Sequence, residues 1–213
     1  MRKLLLVLAL LFLSLFVATA SATTDANVDP DGDATITDAW QLLPTGGTHF
    51  SKIDDGIRYN NVPTLTDYLY LDYYGDSSGD VALSMTTLTG VNQVTAIKIW
   101  IYTYNQGGSG TTIDISKDGS TWVGAQAVTY QSPAAWRSAT FDLSGSPWTQ
   151  SNLDNLQVKL VGWAGGADDY ETYLYAMYAE ITYDEAVPEY SLMVFVAVLV
   201  SSIAIAFAAA HKK

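Results

Sequence analysis

In the segment NVDPDGDATITD, Asn27, Asp29 and Asp31 stand at alternate positions, Gly32 follows, and Asp38 closes the run. Read as a calcium loop, the residues fall where an EF-type loop needs oxygen donors and a sharp glycine turn. Alternate residues in a tight turn aim their oxygens inward, which is the convergence a hard cation requires. Against this, Ala34 replaces the usual large aliphatic, and Pro44 with Gly46 and Gly47 interrupts the helix that should follow. The competing expectation is a solvated acidic leader. Calcium on Asn27, Asp29, Asp31 and Asp38 is the one cofactor the sequence suggests, with Asp54-Asp55 and Asp168-Asp169 as further carboxylate pairs.

Aromatic residues form the second set. Trp100, Tyr102 and Tyr104 alternate along TAIKIWIYTY on the face of Lys98, and Tyr68, Tyr70 and Tyr74 share a face with Asp72. An exposed ring stacks on a sugar, whose axial C–H groups meet the π-face while neighbouring acids accept from hydroxyls. Trp122, Trp136 and Trp163 sit beside turn signals, so loop tips are their expected place. The candidate ligand-binding residues are therefore Trp100, Tyr102, Tyr104, Trp122, Trp136 and Trp163. The alternative is packing, with ring bodies buried and polar tips left wet.

No catalytic residue is assigned. Glycosidase chemistry needs two carboxylates at a set separation. Glu171 and Glu180, nine positions apart, are expected on opposite faces of one strand. His49, in GGTHFSKIDDG, has Ser51 and Asp54 or Asp55 nearby but no G-x-S-x-G elbow. The expectation is a protein that is not an enzyme.

The elements that must carry these residues read as strands. DYLYLDYY puts Leu69 and Leu71 on one face, and TAIKIWIYTY sets Ile97, Ile99 and Ile101 against Lys98, Trp100 and Tyr102. TTIDIS, TFDLSG and LQVKLVGW alternate in the same way. In ETYLYAMYAEITY, Tyr173, Tyr175, Met177, Ile181 and Tyr183 are in phase. Period two, β-branched and aromatic enrichment, and turn signals such as Asp118-Gly119 predict antiparallel strands. The expected fold is all-β: one antiparallel two-sheet β-sandwich of the jelly-roll kind, over residues 41–183.

The two ends read differently. Arg2 and Lys3 precede an apolar run from Leu4 to Val17, and small residues with A-x-A spacing follow. That run spans roughly 21 Å as a helix, short of a bilayer's ~30 Å core, so residues 1–22 are expected to be a signal peptide. Residues 192–210 span roughly 28 Å and are expected to form a transmembrane helix. His211, Lys212 and Lys213 then form a basic cytoplasmic end, which places the bulk of the chain outside. Residues 23–40 are the acidic leader and 184–191 a linker. The expected location is the outer face of a cell membrane, and the membrane is the first expected partner.

Excluding both ends leaves six basic residues against 22 acidic ones, a balance of −16. Such a surface repels nucleic acid, so none is expected as a partner. The chain has no cysteine and two histidines, which argues against a protein-built zinc or iron–sulfur site.

Three resemblances add to this reading. IKIWIYTYNQGGSGTTIDISKDGSTW, WRSATFDLSG and YLYAMYAEITY resemble, in strand order and spacing, the discoidin-like, galactose-binding-type jelly rolls. Asn27 to Asp38 resembles a dockerin-type calcium loop. Val187, Pro188, Glu189 and Tyr190, with an apolar helix and basic end behind them, resemble the sorting signals of archaeosortases and exosortases, although Tyr190 stands where that class has Phe. That resemblance implies a sorting transpeptidase as partner, with a permanent anchor as the alternative. The functional expectation is an envelope, adhesion or matrix component that touches glycans or other surface proteins. Its alternative is a carbohydrate-binding, lectin-like module, and a surface glycan hydrolase stands behind both.

Overall fold

The computed structural model describes residues 23–36, 40–53, 56–72, 79–164 and 171–186. The expected signal peptide, sorting motif, transmembrane helix and basic end lie outside the described residues, as do Asp38, Asp54, Asp55, Asp168 and Asp169. Among the described residues no helix is long and apolar enough to cross a membrane.

Among the described residues nine strands carry the fold: β1 (Thr23–Val28), β2 (Pro30–Ile36), β3 (Gln41–Leu43), β4 (Tyr68–Asp72), β5 (Gly79–Met85), β6 (Val91–Ser116), β7 (Trp122–Asp142), β8 (Gln157–Ala164) and β9 (Glu171–Glu185). A 3-10 turn, Phe50–Lys52, and one short helix, α1 (Gln150–Leu153), join them. All pairings are antiparallel, and the chain forms a two-sheet sandwich. β6 and β7 are long enough to serve both layers. In β6, Val91 to Asn105 pairs with β9, whereas Ser109 to Ser116 pairs with β8. Sheet I thus runs β2-β5-β8-β6-β7, and sheet II runs β7-β6-β9-β4-β3 with β1 beside the far half of β9.

Alternation builds the core between the sheets. Ile97, Ile99 and Ile101 from sheet II meet Ile113, Ile115, Val158 and Leu160 from sheet I, all fully buried. Leu69 and Leu71 take the inward face of β4 as their spacing predicts. Trp40 and Trp148 are also buried; the Trp40 indole donates to the Gly79 carbonyl at 3.1 Å. The β6–β7 hairpin closes on the Asp118-Gly119 turn. Gly119 has φ +72, and one Asp118 carboxylate oxygen accepts from the Ser120 and Thr121 backbone N–H groups at 2.9 and 2.7 Å. Those bonds hold the Asp118 carboxyl below the ordinary carboxylate range.

Where β6 passes from one sheet to the other, its ladder breaks between Asn105 and Gly110. Buried polar side chains cluster at the break. Thr103 donates to the Tyr173 carbonyl at 2.8 Å, and Ser109 donates to the Gln106 carbonyl at 2.7 Å. Backbone groups that lose a strand partner in the interior need such replacements. Gly110 is required here, because a Cβ would sit 2.6 Å from the Trp163 ring and 3.0 Å from the Val128 carbonyl.

Two expectations are corrected. Residues 23–36 are not a leader: β1 pairs with β9 and β2 with β5, so both segments belong to the sandwich. Nor do the described members of the expected calcium loop, Asn27, Asp29 and Asp31, converge in a turn. Asn27 is a strand residue opposite Glu180, Asp31 lies in β2, and Asp29 between them binds the Arg58 guanidinium through both oxygens at 2.7 and 2.8 Å. Among the described residues no group of three acids or histidines could hold a metal ion. Low strand propensity of Asp and Gly concealed both strands, and the neighbouring strands override it.

Candidate functional site

The outer face of sheet II is a continuous field of aromatic rings. In β4, Tyr70 lies 5.0 Å from Tyr173, and Tyr68 lies 5.4 Å from both Tyr173 and Tyr175. Tyr104 joins the same group at 5.7 Å from Tyr173. Tyr175 continues to Tyr102 at 6.1 Å, and Tyr102 meets Trp136 edge-on at 5.4 Å. Trp136 meets Tyr178 at 5.5 Å, Tyr178 stacks with Trp100 at 6.2 Å, and Tyr59 covers Trp100 at 4.6 Å. Such contacts each contribute about 0.5–1.5 kcal/mol beyond area burial.

A β-bulge explains how β9 supplies so many of them. Tyr102 is paired with Ala176 but Thr103 with Leu174, which leaves Tyr175 as the extra residue. The phase of β9 therefore reverses at that point. Tyr173 and Tyr175 face outward before the bulge, whereas Ala176 and Tyr178 face outward after it and Met177, Ala179 and Ile181 enter the core. The single in-phase run expected from Tyr173 to Tyr183 is corrected accordingly.

The bulge also places Glu171 and Glu180 on one face rather than on opposite faces. Glu171 accepts from the Tyr70 and Tyr173 phenols at 2.9 and 2.6 Å, and Glu180 accepts from the Trp100 indole at 3.3 Å. They stand roughly 27 Å apart at ~3.3 Å per strand residue, too far to act as a hydrolytic pair. His49 does not stand over Ser51 as a base. Its ring nitrogens face Asp33 at 3.2 Å and the Trp40 carbonyl at 3.3 Å, while the Ser51 hydroxyl donates to the Thr48 carbonyl at 2.8 Å.

At the Trp136 end the field deepens into a concavity of about 310 Å³. Tyr102 and Trp136 line it from the sheet, Arg137 from β7, and Tyr59, Asn60, Asn61 and Val62 from the loop before β4. The Trp136 indole donates to the Asn61 carbonyl at 2.7 Å, and the Tyr178 phenol accepts from the Tyr59 N–H at 3.2 Å. Asn60 holds φ at 80, a left-handed conformation that a non-glycine residue keeps only when its surroundings fix it. Tyr59 and Val62 are 49% and 67% exposed, so this rim offers apolar surface to a ligand. Cations edge the face: Arg58 lies 4.7 Å over Tyr178 and Lys98 lies 4.0 Å over Trp100.

The six ligand candidates thus divide. Trp100, Tyr102, Tyr104 and Trp136 come together on sheet II, all within strands. Trp122 and Trp163 lie in sheet I, Trp122 opening β7 directly after the Asp118-Gly119 turn and Trp163 one residue before the end of β8. Trp122 carries Lys159 at 4.4 Å over its ring, and Trp163 covers Gly110. The sequence reading missed Tyr59, Asn60, Asn61, Val62 and Arg137. Its available signal was Asn60-Asn61 just before Pro63, a turn marker set between aromatic positions.

Burial raises the Tyr173, Tyr175 and Tyr178 phenols above their ordinary 10.0, with the Glu171 hydrogen bond adding to the effect at Tyr173. The folded state therefore favours the protonated phenol. Below pH 10.0 that preference is fully present; as pH rises through the raised values the unfolded chain ionises first and stability falls. Melting temperature should drop from about pH 10 upward, with part of the phenolate absorbance appearing only as the protein unfolds. A phenolate titration complete before any loss of structure would contradict this.

No family model matches the chain, and no curated protein does. Among solved structures it is similar to TmCBM61 in complex with β-1,4-galactotriose, at 10% identity and a TM-score of 0.38, over 78% of this chain and 92% of that one. It is also similar to the K1 cleaved adhesin domain of Lys-gingipain from Porphyromonas gingivalis, at 15% identity and a TM-score of 0.35, over 76% and 99%. A family 29 carbohydrate-binding module from Piromyces equi is 14% identical with a TM-score of 0.31, over 74% of this chain and 91% of that module.

Proposed function

We propose that this domain is a surface-displayed contact module that binds carbohydrate on the outer face of sheet II. The observation that carries the reading is the concavity whose aromatic lining, Tyr102, Trp136 and Tyr59, stands beside the amides of Asn60 and Asn61. The half-exposed Tyr59 ring offers its face to the C–H groups of a pyranose over a floor made by the buried Tyr102 and Trp136, and the Asn60 and Asn61 amides fix its hydroxyls. The jelly-roll description, the export signal and the anchoring helix belong to the same proposal. A membrane-tethered array of such modules turns weak single contacts into firm attachment, because the second contact is made at high effective concentration.

Full-length protein in detergent, applied to a glycan array, tests this. Tyr59→Ala and Asn60→Gly should each weaken a defined hit at least tenfold, about 1.4 kcal/mol, while stability falls by about 0.5–1.5 kcal/mol for Tyr59→Ala, which loses its contact with Trp100, and by no more than about 0.5 kcal/mol for Asn60→Gly. Glycine keeps the left-handed turn at residue 60 and removes only the amide. Self-association with no glycan bound would support the envelope or matrix role instead.

A further inference from the structure

We infer that the ligand is an extended, neutral polysaccharide bound across the strands of sheet II at several consecutive sugars, with the concavity at one end of a longer track. This rests on the carbohydrate reading above and adds its substrate class.

The rings do not stop at the concavity. They continue from Trp136 through Tyr102 to Tyr175, Tyr173 and Tyr70 with neighbouring centroids 5.0–6.2 Å apart. The track crosses sheet II from β7 through β6 and β9 to β4, three strand spacings of ~4.8 Å with a two-residue step along β9, roughly 16 Å in all. A mono- or disaccharide cannot span it. The far half is built for contact, since Tyr68, Tyr70, Tyr104, Tyr173 and Tyr175 each keep part of the side chain open to solvent. Its orientation is set before a ligand arrives: Glu171 holds the phenols of Tyr70 and Tyr173 with one oxygen each. Pre-set rings lose little freedom on binding, which lets a shallow surface hold a chain. A polymer with flat apolar faces and equatorial hydroxyls matches rings that alternate with polar tips. The charge disfavours polyanions: Glu171 and Glu180 border the face on a chain of net charge −12, and of the two cations at its edge Arg58 is already paired with Asp29.

Calorimetric titration of full-length protein in detergent with β-1,4-linked glucose, mannose and xylose oligomers, disaccharide to octasaccharide, tests the inference. Affinity should rise at least tenfold with chain length before levelling off. Tyr68→Ala and Tyr173→Ala should each remove most of that gain. A disaccharide that binds as tightly as the octasaccharide, with Tyr59→Ala abolishing both, would overturn the inference and leave the carbohydrate reading standing. A preference for sulfated or uronate chains over neutral ones would overturn the neutral assignment. Binding of no glycan, at any length, would overturn both.

Discussion

Deletion of Thr23–Ile36 should abolish cooperative folding. The segment supplies two strands in two different places. β1 makes six register pairs along β9, and β2 makes five along β5 at the rim of sheet I. A net 0.5–1.5 kcal/mol for each backbone hydrogen bond already puts several kcal/mol at stake. Val28, 3% exposed, adds about 1.5–3 kcal/mol by burial. Two side chains tie the segment to the loops around the site. Asp29 clamps Arg58, and Asp33 accepts from the His49 and Phe50 N–H groups at 3.0 and 2.8 Å, which starts the 3-10 turn. Arg58 in turn lies over Tyr178, so losing Asp29 loosens the loop that carries Tyr59 and Asn60. The combined loss is comparable with the whole 5–15 kcal/mol stability of a domain. Circular dichroism on heating should therefore show no sigmoidal transition for the deleted protein. A solvated leader makes the opposite prediction, an unchanged melting curve, and that result would refute the strand assignment of these residues.

How far the sequence alone led depends on which physical signal each element uses. The Ile97-Ile99-Ile101 and Ile113-Ile115 patterns were legible because a strand buried on one face must alternate, and their isoleucines are fully buried. The Asp118-Gly119 turn was legible because its backbone conformation restricts the residue types. β1 and β2 were not, since Asp, Asn and Gly form strands there only because β9 and β5 offer partners far away in the chain. The aromatic face was half legible. Alternation placed Trp100, Tyr102 and Tyr104 together, but the bulge at Tyr175 leaves no local signature, and it decides which half of β9 points outward. Turn signals beside Trp122 and Trp163 do not reveal that both lie in sheet I, because β6 and β7 change sheets in mid-strand. Nothing short of the pairing register reveals that change.

Trp136 should be the residue on which both stability and recognition depend most. It is 8% exposed, touches Tyr102 and Tyr178 edge-on, and donates to the Asn61 carbonyl. Trp136→Ala removes the ring lining the concavity and the tie to its loop, at an expected cost of about 3–5 kcal/mol. Loss of glycan binding in that variant could follow from unfolding, so Trp136→Phe is the sharper test. Phenylalanine keeps an apolar ring but cannot donate to Asn61, a loss of about 0.5–1.5 kcal/mol that leaves the domain folded. Denaturant midpoints should then fall modestly, while binding weakens at least tenfold because the Asn60-Asn61 turn is no longer held against the sheet. Trp122→Ala supplies the contrast. Its ring engages Lys159 on sheet I, a contact worth about 0.5–1 kcal/mol, so binding should stay as in the unaltered protein. If Trp122→Ala removes binding and Trp136→Phe does not, the ligand sits on sheet I. The two variants together thus assign the recognition surface to one layer of the sandwich.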